Sequence, residues 1–137
     1  MPFPLSREML SENEKAMALS FPFSFCARMR SDNGGELTVR GEPWWLIPFR
    51  DTTDRKRLAR TAGHIEYETK KAREWAHFPS DGVAIAANGA GDYLIFRGDP
   101  DDARRLSPEV HVWRHEEDEL TKIADDFDEL LPQNDEL

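Results

Sequence analysis

The chain is 137 residues long, with 39% hydrophobic and 33% charged side chains, one cysteine and a formal charge of -9. That length suits one compact domain with a genuine core, and a lone Cys26 excludes an intramolecular disulfide framework. No run approaches the roughly 20 apolar residues of a membrane span, and the start, Met1 to Arg7, lacks the basic and apolar regions of a secretory signal, so a soluble cytoplasmic protein is expected.

The negative charge is unevenly placed. Residues 1–115 hold 17 acidic and 17 basic side chains, whereas residues 116–137 hold 10 acids against Lys122 alone. A skew of this kind marks either a solvated face with a loose end or an acidic surface that steers a basic partner. Direct nucleic-acid binding is disfavoured because phosphates need concentrated Lys and Arg. Bases cluster only from Arg50 to Arg60, where Asp51 and Asp54 interrupt them.

In chain order, Ser11-Glu12-Asn13-Glu14 reads as a capping box opening a short helix that runs to about Leu19. Pro22 opens a second helix carrying Phe25 and Met29, and Asn33-Gly34-Gly35 ends it. Glu36 to Arg40 and Trp44 to Arg50 read as a hairpin turning at Gly41-Glu42-Pro43. Residues 52–76 look helical, with Ile65, Thr69, Ala72 and Ala76 as an inward stripe beside Trp75, and Pro79 closes the stretch. Val83 to Ala87 and Tyr93 to Phe96 are nearly all apolar, which predicts central strands covered on both faces. They flank the turn Asn88-Gly89-Ala90-Gly91-Asp92. Gly98 to Asp102 should form a loop with a type I turn at Pro100, followed by a strand from Val110 to Trp113. Leu120, Ile123, Phe127, Leu130 and Leu131 then space as one face of a closing helix. The expected fold is α+β: one domain with N-terminal helices and a C-terminal helix on a mixed, largely antiparallel sheet.

No catalytic constellation emerges. His111 and His115 are four apart but lie at a strand end with no third ligand beside them, and His64 and His77 are isolated. Counted from Asp99, the sixth and twelfth positions of a calcium loop would be Arg104 and Val110, so that pattern fails. Gly89-Ala90-Gly91 lacks the third glycine and the helix of a dinucleotide loop. Cys26 sits in an apolar helix, where a thiol is inert, and contiguous Glu116-Glu117-Asp118-Glu119 should be solvated rather than split into acid and base. The final Asn134-Asp135-Glu136-Leu137 approximates an endoplasmic-reticulum retention signal, which has no use in a cytoplasmic protein. No cofactor or metal is expected.

Several segments nonetheless carry a recognisable order. Phe21-Pro22-x-Ser24-Phe25, Asn33-Gly34-Gly35 and Trp45-x-Ile47-Pro48 come first. Phe78-Pro79-x-Asp81-Gly82-Val83-Ala84-Ile85-Ala86-x-Asn88-Gly89-x-Gly91-Asp92-Tyr93-Leu94 follows, then Val110-x-Val112-Trp113-x-His115-Glu116 and Ile123-Ala124-Asp125-x-Phe127-x-Glu129-Leu130-Leu131. Over about residues 15 to 131 this resembles the SUKH superfamily, which groups bacterial immunity proteins with a fungal cell-wall-assembly regulator. The long polar stretch from Thr52 to Ala76 departs from that pattern. Residues 132–137 would then be a loose tail behind a single domain.

The resemblance implies a non-catalytic protein-binding domain, most simply an antidote that neutralises a cognate bacterial toxin, a nuclease being one such class. The alternatives are a regulatory scaffold for endogenous signalling or cell-wall-assembly proteins and, last, an enzyme of unrecognised chemistry. Candidate partner-binding residues are Trp44, Trp45, Asp92, Glu116, Glu117 and Glu119. Trp44 and Trp45 point to opposite sides of a strand, so one should be core and the other exposed. Asp92 also has a purely structural role open to it, bonding its own turn amides beside Asn88, Gly89 and Gly91.

Overall fold

The computed structural model describes residues 2–132. Two helices come first, α1 (Arg7–Met17) and α2 (Phe23–Ser31), then a hairpin of β1 (Gly35–Val39) and β2 (Glu42–Leu46). Helices α3 (Arg55–Arg60) and α4 (Ile65–Ala72) lead to β3 (Val83–Ala87) and β4 (Tyr93–Phe96). A small hairpin of β5 (Gly98–Asp99) and β6 (Asp102–Leu106) precedes β7 (Val110–Arg114) and β8 (Glu119–Ala124), and a 3-10 turn (Phe127–Leu130) closes the described chain. The main sheet has six strands in the order β1-β2-β3-β4-β7-β8, every pairing antiparallel. The fold is α+β.

α1, α2 and the 3-10 turn cover one face of this sheet. Phe25 on α2 is the hub. Its ring meets those of Phe127, Phe96, Phe49 and Phe21 at centroid separations of 5.1, 5.2, 5.7 and 5.8 Å, and most of these contacts are edge-on, as ring quadrupoles prefer. On the opposite face, Ala72, Phe78, Ile95 and Trp113 form a smaller cluster beneath the end of α4. β3 and β4 are therefore buried on both sides, as their unbroken apolar runs predict.

Several expectations are corrected. The cap of α1 is Ser6, whose Oγ accepts from Met9 N at 3.1 Å, so Ser11 to Glu14 lie inside the helix. Asn13 is needed elsewhere: its amide donates to Met9 O and Arg50 O and accepts from Arg50 N. Asn33 likewise does more than stop a helix, exchanging two 2.9 Å bonds with Phe49. These two buried amides, with Thr61 Oγ1 on Asp51 N, satisfy the backbone where the chain leaves the sheet. That is why β2 ends at Leu46 instead of reaching Arg50.

The first hairpin turns at Arg40–Gly41, both at positive φ (53° and 83°), a type I′ turn. Glu42 and Pro43 are then strand residues. Pro43 sits opposite Thr38, beyond the only β2–β3 pairs, Trp45–Ala87 and Leu46–Ala86, so its missing N–H leaves no ladder bond unmade. The polar stretch splits into two short helices, and Ala76 lies outside the buried stripe of Ile65, Thr69 and Ala72.

The closing helix shrinks to the single turn Phe127–Leu130, while Leu120 and Ile123 fall in β8. Pairing explains it. A strand against the outer side of β7 satisfies a backbone edge that a helix would leave open. Of the expected tail 132–137, residues 133–137, with the Asn134–Leu137 signal, lie outside the described residues.

Candidate functional site

In this strand order the hairpins β1–β2, β3–β4 and β7–β8 all turn at one end of the sheet. Their turns, residues 40–41, 88–92 and 115–118, therefore meet there. Each turn is locally specified. Asn88 Oδ1 accepts from Ala90 N and Asp92 N. Gly91, at φ 92°, lies so close to His115 that a Cβ would stand 3.3 Å from its Nδ1. His115 in turn packs under Trp75, ring centroids 4.1 Å apart.

Arg114, the last residue of β7, joins these turns electrostatically. It donates two bonds to Glu42 (2.8 and 3.1 Å) and one to Asp92 (3.1 Å), so a single guanidinium bridges β2 and the β3–β4 turn. Asp92 also accepts from Asn88 Nδ2 and His115 N, both at 2.9 Å. The hydrogen bond from Arg114, then that from Asn88, holds the Glu42 carboxyl below its usual range. For Asp92 burial pushes upward, yet the bonds from Asn88, the His115 N–H and Arg114 outweigh it and the net direction is down. Both groups are ionised at neutral pH, and the same bonds keep Arg114 charged.

Beside this network opens a cavity of about 280 Å³ floored by Trp44, Val112 and Ile123 and rimmed by Arg40, Glu119 and Thr121. Arg40 reaches across it, Nη2 donating to Ile123 O at 3.3 Å, so the first turn is tied to β8. Glu119 stands opposite Arg114 across the β7–β8 pair, but its carboxylate accepts only from Thr121 Oγ1 among the bonds here.

The structure brings Asp92, Glu116, Glu117 and Glu119 together at this end. Asp92 is an internal strut, whereas Glu116 and Glu117 project from the exposed last turn. The tryptophans separate as strand alternation requires. Trp44 is 1% exposed and forms the cavity floor, which removes it from direct reach of a partner, and Trp45 is 51% exposed on the opposite face. Arg40, Glu42 and Arg114 were not legible as site residues. Glu42 reads as a turn residue, and nothing in the sequence signals that Arg114 would choose partners 72 and 22 positions away. Cys26 is half-buried, with its thiol pushed up to about 12 by burial and then by Glu14. Among the described residues no group of three or more His, Cys, Asp or Glu is placed to hold a metal, and no helix is long and apolar enough to cross a membrane.

Fold and site together describe a small α+β domain whose most elaborated feature is a shallow, charged surface at a sheet end. The family model of the SMI1 / KNR4 family (SUKH-1) matches residues 4–133, nearly the whole chain, and the chain belongs to that family. Membership fits an immunity or regulatory protein-binding role. No curated protein and no solved structure matches the chain.

Proposed function

We infer that this is a non-catalytic immunity protein of the bacterial cytoplasm that binds and neutralises a cognate toxin through the hairpin end of its sheet. The observation that carries the reading is the convergence there of Glu42, Asp92, Glu116, Glu117, Asp118 and Glu119 around Arg40 and Arg114, in a family of protein-binding domains. Such a field accelerates encounter with a basic surface, so a nuclease, whose active site must attract phosphate, is the toxin class it suits.

The chemistry of the mouth supports binding over catalysis. A general acid at neutral pH needs a carboxyl raised by desolvation, but Glu42 and Asp92 are both held low by donors. The network rigidifies the three turns and presents Glu116, Glu117 and Glu119 on a fixed platform.

Co-expression with the toxin encoded beside this gene tests the reading. Cells carrying both should grow, and cells carrying the toxin alone should not. Equal killing with and without the protein defeats it. Recovery of several endogenous partners from the native host, with no toxin among them, would favour the regulatory scaffold instead.

A further inference from the structure

The hairpin end lies at one margin of the sheet, and the long β1 edge lies at another. β1 is outermost, and among the described residues no strand pairs with its outer side. Register decides which backbone groups point outward. The two-residue type I′ turn makes Val39 and Glu42 a hydrogen-bonded pair, and bonded pairs alternate from there. Leu37 is therefore bonded to Trp44, while Glu36 and Thr38 direct their N–H and C=O groups away from β2.

The two sheet edges are treated differently. β8 carries Lys122, has a register shift between Val110 and His111 of its partner, and has Ile123 O occupied by Arg40. These are ordinary protections against strand addition. β1, Gly-Glu-Leu-Thr-Val, has neither lysine, proline nor bulge. Its outer side opens into a groove of about 680 Å³ lined by Leu37, Leu130 and Leu131. Arg28 and Leu131 also line a second groove of about 700 Å³ beside Phe23, so the two lie next to each other at the 3-10 turn. Phe23 is 87% exposed, the most exposed large hydrophobic side chain among the described residues. Glu36, Asp126, Asp128 and Glu129 line the rims. The base present, Arg28, is engaged with the carbonyls of Asp32 and Gly34.

We propose that the β1 edge docks an extended segment of a partner protein as a seventh strand, with an apolar side chain set against Phe23 and basic side chains facing the carboxylates. Main-chain bonds to Glu36 and Thr38 supply the pairing, and the groove and rims supply selectivity, as in other strand additions. A second copy of this chain is the poorer occupant. Antiparallel pairing of β1 with itself would bring two chains of net charge -9 together with their Glu36 and 126–129 carboxylates in one seam. The surface is distinct from the hairpin end and does not depend on what binds there.

The probe is a fluorescein-labelled peptide alternating Val or Leu with Lys, with a proline-interrupted peptide of the same composition as control. The alternating peptide should bind and slow amide exchange at Glu36 and Thr38 at least tenfold, and the control should not. Thr38→Pro removes an outward N–H without breaking a β1–β2 bond, so it should weaken binding at least tenfold in a folded protein, and Phe23→Ala should also weaken it. No binding up to millimolar peptide, unchanged affinity in a folded Thr38→Pro variant, or exchange unaltered at Glu36 and Thr38 overturns the proposal. If Thr38→Pro does not fold, equal affinity for the two peptides overturns it instead. Binding lost in Glu116→Lys/Glu117→Lys and kept in Phe23→Ala places the peptide at the hairpin end, which also overturns it while leaving toxin neutralisation standing.

Discussion

Replacing Arg114 by Met keeps most of the aliphatic stem and removes the charge, which isolates the electrostatic role of the network. Three hydrogen bonds to carboxylates disappear. A bond to a charged group contributes about 1.5–3 kcal/mol net when well shielded. Here the side chains of Arg114, Glu42 and Asp92 are 29%, 33% and 13% exposed, so water recovers part of the loss. Asp92 also keeps Asn88 and the His115 N–H, and Glu42 keeps Asn88. The result falls between an exposed pair, below about 1 kcal/mol, and a broken buried pair, about 3–5 kcal/mol. We expect about 2 kcal/mol at pH 7, or roughly 6–8 °C in Tm for a domain of this size.

The pH dependence sharpens the test. Glu42 and Asp92 both have folded pKa values below their unfolded ones. Their contribution is therefore fully present above the unfolded values, around 4, and is lost as pH falls through the folded ones. Urea melts of wild type and Arg114→Met should differ by about 2 kcal/mol at neutral pH, and the gap should close progressively below about pH 4. Glu42→Gln combined with Arg114→Met should cost less than the two single changes added together. A gap under about 0.5 kcal/mol at pH 7, or one of equal size at pH 7 and pH 3, would refute the assignment of this network as the tie between the turns.

Two further expectations separate surface from core. Reversing Glu116, Glu117 and Glu119 to Lys should slow toxin association about tenfold at low salt and flatten its salt dependence; stopped-flow rates unchanged across ionic strength would show that the last turn does not face the partner. Trp44→Ala should cost about 3–5 kcal/mol by emptying the cavity floor, whereas Trp45→Ala should stay within about 0.5 kcal/mol. Denaturant midpoints distinguish these two directly, and equal losses would contradict the alternation along β2.

Elements that state their environment locally were legible. The apolar runs of β3 and β4 admit no polar face, Phe25 and Met29 sit one helical turn apart, and Asn88-Gly89-x-Gly91 supplies the positive φ values its turn requires. Segments whose state is decided by a distant neighbour were not. Leu120, Ile123 and Phe127 have helical spacing, yet β7 needs a partner on its outer side and captures residues 119–124 as a strand. Asn13 and Asn33 look like helix punctuation, because nothing nearby announces the departing backbone at residues 49 and 50 that their amides clasp.

That one reassignment, from helix to strand at residues 120–124, is also what creates the candidate site. On a helix, Glu116 to Glu119 would spread around the axis at about 100° per residue. Instead Glu116 to Asp118 lie in the hairpin turn and Glu119 opens β8, beside the turns that carry Arg40 and Asp92. The excess of acid thus becomes a surface of fixed shape, because Arg114 neutralises and holds the inner carboxylates while the outer ones stay unpaired by it. The two tiers have different jobs: losing the inner one should loosen the fold before it changes encounter, and losing the outer one should slow encounter while leaving the fold intact.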